Sequence, residues 1–90
     1  MNVKSATFNG VKYKIDMSQK IDGMCDSPKG GGKPTLMIAV DPYTKKELET
    51  IIHESLHACK WSKSEDDVRQ TGEDVARLLW RLGYRRKEVK

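Results

Sequence analysis

The chain has 90 residues, one small domain near the lower limit of what a single apolar core supports unaided. Its 17 Lys+Arg against 13 Asp+Glu leave a net charge of +4, too mild a surplus to imply a nucleic-acid partner by itself. The sequence holds no apolar run of about 18 residues that would cross a membrane, and Met1–Ser5 lacks the apolar segment of a secretory signal. A cytoplasmic protein is therefore expected, with Cys25 and Cys59 as reduced, partly buried thiols.

Residues 3–40 read as β structure. Val3 to Phe8 forms a first strand, ended by Asn9-Gly10, a pair suited to the positive φ angles of a two-residue type I′ hairpin turn. Beyond the turn Val11, Tyr13, Ile15 and Met17 alternate with Lys12, Lys14 and Asp16, as in a strand with one wet face. Ser18 to Asp26 is ambiguous, and residues 27–34 form a glycine-rich loop. That loop is not a phosphate loop. Pro34 follows Lys33 where Ser or Thr is needed, Ser27 stands at the place of the first glycine, and a strand follows instead of a helix. Thr35 to Val40 is a nearly continuous apolar strand, expected to be buried on both faces. A mostly antiparallel sheet of about three strands results.

Asp41-Pro42 ends that strand. Thr44 and Glu47 then make a capping box, opening a helix over residues 44–61. Its apolar residues Leu48, Ile51, Ile52, Leu56 and Cys59 share a stripe, which predicts that Leu48, Ile52 and Leu56 pack on the sheet. Nearly opposite that stripe stand both histidines of the chain, in His53-Glu54-Ser55-Leu56-His57. Residues four apart on a helix project from one face, so His53 and His57 are placed to grip one zinc ion. Glu54 is placed as the general base for a zinc-activated water. Cys59 lies about 200° round the helix from His57 and cannot join the same site from there.

A second helix is expected over residues 64–83, capped by Ser64, with Glu65, Asp66 and Asp67 at its positive end and Gly83 as the C′ residue. Val68, Val75, Leu79 and Leu82 form its expected inward face, widened by Thr71, Gly72 and Leu78. The remaining residues 84–90 form a basic, frayed tail. Catalytic zinc takes three protein ligands and a water, so two histidines need a third partner. Cys25 and the acids Glu65, Asp66, Asp67, Glu73 and Asp74 are the candidates. Helical phase favours Glu65, on the margin of the inward face two turns below Gly72, with Asp74 second. One counter-argument sets the histidines level with Thr71-Gly72, which would then be a gap left for metal and water.

The H-E-x-x-H run followed by the acidic start Ser64-Glu65-Asp66-Asp67-Val68 resembles the zincin metallopeptidases, in their gluzincin-like His, His, Glu form. From Leu48 to the ending Ala76-Arg77-Leu78-Leu79-Trp80-Arg81-Leu82-Gly83 the chain is similar to minimal H-E-x-x-H proteins encoded by phages and bacteria. The metzincin continuation is absent, since Lys60 and Lys63 stand at its glycine and last histidine. The resemblance implies an α+β fold of one domain, residues 1–90, with two packed helices after the sheet. It also implies a zinc peptidase acting on a peptide or protein inside a bacterial host, with Glu54 catalytic. An extended substrate would add to an edge strand such as Thr35–Val40. The competing reading is a metal-stapled binding module that contacts nucleic acid or a protein through Lys12, Lys14, Arg81, Arg85, Arg86 and Lys87.

Overall fold

Asn9 (φ 49°) and Gly10 (φ 78°) adopt the left-handed backbone that a two-residue hairpin turn requires. They join strand β1 (Ser5–Phe8) to strand β2 (Val11–Asp16) in antiparallel register, Ala6 opposite Tyr13 and Phe8 opposite Val11. The computed structural model describes residues 3–17, 23–25, 34–38 and 41–86, with the backbone alone for 23–25. Two further strands follow, β3 (Gly23–Cys25) and β4 (Thr35–Ile38), so the described sheet has four strands in the order β1-β2-β4-β3. Two of its three pairings are antiparallel, while β4 runs parallel to β2 with Ile15 opposite Leu36. Helices α1 (Lys45–Cys59) and α2 (Glu65–Arg81) complete an α+β fold. The glycine-rich stretch before Pro34, the end of the expected strand at residues 39–40 and the tail from Lys87 lie outside the described residues.

The alternation in β2 sets the core. Tyr13 is fully buried while Lys12 and Lys14 on the other face are exposed, and Phe8 meets the Tyr13 ring edge-on at 5.7 Å between centroids. Leu36 and Ile38 of β4 and Ala58 of α1 close the cluster, with Val11, Ile15 and Ile51 packed around it. Strand addition at Thr35–Val40 requires that strand to lie at a sheet edge, and it does not: β4 is paired on both sides, and the edges of the described sheet are β1 and β3. Helix α1 packs across β3 and β4.

The inward face of each helix overlaps only in part the one that hydrophobicity predicts: Ile51 of the α1 stripe packs on the core, and Val68 and Gly72 of the expected α2 face are buried. In α1 the buried residues are Glu47, Thr50, Glu54 and Ala58, whereas Leu48, Ile52 and Leu56 are half-buried and Cys59 is exposed. The expected Leu48/Ile52/Leu56 seam on the sheet and the partly buried Cys59 thiol are thus corrected. In α2 the buried residues are Val68, Gly72 and Ala76. Val75, Leu78 and Leu82, expected inside, are 38%, 57% and 63% exposed. The physical reason is close helix–helix approach. A Cβ added at Gly72 would lie 3.6 Å from the Glu49 carbonyl oxygen and from His53 Cα and Cβ, so small residues at 72 and 76 let the backbones draw together.

The helix ends follow the local chemistry. Thr44 Oγ1 accepts the Glu47 N–H at 3.1 Å, and Glu47 Oε1 in return accepts the N–H of Tyr43, one residue before the cap. Ser64 Oγ accepts the Asp67 N–H. At the far end Gly83 (φ 92°) donates to the Trp80 carbonyl and Tyr84 to that of Leu79, the two bonds of a Schellman motif. The chain then turns back, so the described part of the expected frayed tail is docked. Arg86 donates through Nε and Nη2 to the buried Glu47 carboxylate at 3.0 and 2.9 Å, and its guanidinium lies over the Tyr43 ring. The Arg85 guanidinium covers the face of Trp80 at 3.3 Å from its centroid.

Candidate metal centre

His53 and His57 stand one turn apart on α1, so their rings lie side by side, 5.0 Å between centroids. A short connection, tightened by the Lys63 N–H donating to the Lys60 carbonyl, leads to the Ser64 cap and makes Glu65 the first residue of α2. Because α2 returns antiparallel against α1, the Glu65 carboxylate arrives between the two imidazoles. Its Oε1 lies 2.7 Å from His53 Nε2, and its Oε2 lies 2.8 Å from His57 Nε2. The three donor atoms fall within 4.8 Å of one another. Two imidazole nitrogens and one carboxylate oxygen are a donor set that zinc takes in open sites, and the cluster is compact enough to share one ion. The set therefore fits that metal.

The surroundings grade from wet to dry. Glu65 is 67% exposed, His53 20% and His57 15% at their side chains, so the group forms a rim and not a core. Glu54 is buried, 8% exposed. Loss of solvent pushes its carboxyl above the usual carboxylate range, partly countered by the nearby charges of His53 and His57. Glu65 shifts the other way. Partial desolvation works against ionisation there, but the hydrogen bond from His53 and the charges of both histidines outweigh it and hold the carboxyl below its ordinary value.

The remaining candidates are engaged elsewhere. Asp66 pairs with Arg69, Glu73 with Arg69 as well, and Asp74 accepts from Gln70 and Arg77. Asp67 lies in the exposed first turn with its N–H on the cap, and the Cys25 side chain is outside what is described. Gly72 does lie level with His53, as the counter-argument held, but it fills a helix–helix contact and leaves no gap. Glu65, two turns before Gly72, still meets both imidazoles through side-chain atoms alone. One neighbour passed unnoticed in the sequence. Trp61, four residues beyond His57 and 46% exposed, places its ring 6.1 Å from the His57 ring. Its signal was the i, i+4 spacing from a histidine of the motif.

Comparison with protein-family models, with curated proteins and with solved structures gives no match in any of the three. Among the described residues no helix is long and apolar enough to cross a membrane.

Proposed function

We propose that this chain is a zinc-dependent metallohydrolase, a minimal peptidase of the gluzincin-like zincin type, in which His53, His57 and Glu65 hold the metal and Glu54 is the general base. The observation that carries the reading is the Glu65 carboxylate set against both imidazoles at 2.7 and 2.8 Å. Zinc held by His53, His57 and Glu65 would supply Lewis-acid activation of a substrate carbonyl and of water. Glu54 would take a proton from the attacking water and pass it to the leaving amine. Its burial supports the role, because a carboxylate pushed upward in pKa holds a proton more readily near neutral pH. Substrate is an extended peptide added to the outer edge of β3, the edge strand on which α1 packs, since β4 is enclosed. A phage-encoded protein working in the cytoplasm of a bacterial host belongs to the same reading, on the strength of the resemblance.

The rival reading, a metal-stapled module that contacts nucleic acid or a protein through basic residues, draws less support. Arg86 is held by Glu47 and Arg85 by Trp80, so two of its named cations are engaged within the chain. The deciding experiment is cleavage of a fluorogenic casein by zinc-loaded protein, wild type against Glu54→Gln. The variant should keep its zinc and lose about 100-fold or more in rate, the scale of a positioned general base. Equal rates in the two proteins would contradict the assignment.

A further inference from the structure

His53, His57 and Trp61 follow one another at intervals of four residues, and their rings are successive neighbours, 5.0 Å and then 6.1 Å between centroids. The two imidazoles belong to the candidate metal centre. Trp61 cannot join them there, because its indole N–H is a donor only. It is nonetheless 46% exposed, an indole standing in water where tryptophan is ordinarily well covered. The ring is tilted 57° to that of His57, so it does not lie flat on the imidazole, and nearly half of it stays uncovered.

Its place is fixed by backbone bonds. The Lys60 N–H donates to the Leu56 carbonyl at 3.0 Å and the Lys63 N–H to the Lys60 carbonyl at 3.1 Å, with the Ser64 cap just beyond. A ring held by such a turn loses little freedom when another group packs on it. One exposed apolar side chain is ordinary by itself, but this one adjoins a ligand of an open metal site. A tryptophan face takes either an apolar group or a cation. The same connection carries Lys60 and Lys63, neither ion-paired among the described residues, and a divalent ion at the centre would add to their positive charge. A cationic group is therefore disfavoured and a large apolar one is left. Given the metal site proposed above, on which this rests, we infer that Trp61 is a specificity-determining residue: its indole packs against a large apolar side chain, aromatic above all, on the substrate residue next to the scissile bond.

Two probes that chelate zinc through the same head, acetohydroxamate and phenylacetohydroxamate, differ only by a phenyl ring and need no turnover. Titrated into the zinc-loaded full chain, the phenyl probe should bind about tenfold more tightly, the worth of roughly 50 Å² of apolar surface covered. Trp61→Ala should bring the two affinities within about twofold and leave zinc content unchanged, and Trp61→Phe should restore part of the preference. The indole N–H resonance of Trp61 should shift with the phenyl probe, while that of Trp80, already covered by Arg85, should not. Equal affinity of the two probes, no binding of either, or a preference that survives in Trp61→Ala or is not restored by Trp61→Phe would each overturn the role. So would zinc lost from Trp61→Ala, because the ring would then serve His57 and not substrate. All of these leave the metal site standing, whereas a wild-type chain that holds no zinc would remove the site and this role with it.

Discussion

Glu54 sits where an ionised carboxylate is disfavoured, and that conflict is measurable without any assay of activity. Burial raises its pKa, so ionisation costs more in the folded chain than in the unfolded one. The penalty is absent below the unfolded value of about 4.3, grows as pH rises through the folded pKa, and is complete above it. Glu54→Gln should therefore raise the melting temperature of the metal-free protein at pH 7 and leave it nearly unchanged at pH 4. Each kcal/mol relieved reads as about 4–8 °C in a domain this small. An unchanged melting temperature at pH 7 would mean the carboxylate is better solvated than its burial indicates. Glu65 has the opposite sign: its depressed pKa makes its contact with the histidines stabilising above the carboxylate range and lost as pH falls through the folded value. Two-thirds exposed, it is screened, and that effect should be small.

The pair Glu47–Arg86 is a residue-scale feature of another kind. Glu47 is 3% exposed and depends on the Arg86 fork and the Tyr43 N–H for its charge. Arg86→Ala should cost about 2 kcal/mol, below the cost of breaking a fully buried pair because Arg86 keeps 41% of its side chain in water. Replacing both by methionine should recover most of that loss in a urea unfolding series. Sequence reading assigned Glu47 to the cap, correctly, and Arg86 to a solvated tail. A pair 39 residues apart has no local signature, so the second half of the contact was not legible.

At the scale of elements, the boundaries were legible and the faces only in part: Val68, Gly72 and Ile51 lie inward as expected, while Val75, Leu78 and Leu82 do not. Thr44, Ser64, Asn9-Gly10 and Gly83 act through bonds to their immediate neighbours, and each occurs where such chemistry predicts. Inward faces depend on what packs opposite. Helix α1 buries Glu47, Thr50 and Glu54, polar residues a hydrophobicity stripe discounts, and α2 buries Gly72 and Ala76, which carry almost no apolar signal. The phase error did not mislead the choice of Glu65, because 65, 68, 72 and 76 form one helical stripe in either case. Strand β3 was missed because three residues are too few for periodicity, and the parallel pairing of β2 with β4 follows from a long connection whose path no local pattern specifies. A further prediction belongs here. Gly72→Ala adds a methyl at ordinary contact distance, 3.6 Å, and should stabilise the fold by about 0.5–1 kcal/mol through helix propensity. Gly72→Leu should force the helices apart and weaken zinc binding by drawing Glu65 off the histidines. Zinc affinity unchanged in the leucine variant would show that the site does not depend on this contact.

At the scale of the whole molecule, zinc would join the last turns of α1 to the first turn of α2 in a chain with a small core. Free zinc at about 100 times its dissociation constant adds about 2.7 kcal/mol when the unfolded chain binds none, on the order of 10 °C in melting temperature. The test of the central claim is zinc binding itself, measured by calorimetry and by metal content after dialysis against micromolar zinc at neutral pH. Wild type and Glu54→Gln should each hold about one zinc per chain. Glu65→Ala should bind at least about 100-fold more weakly, more than loss of a supporting partner costs, while Glu73→Ala and Asp74→Ala stay at wild-type affinity. Full affinity in Glu65→Ala, or loss in Asp74→Ala alone, would contradict the three-ligand centre.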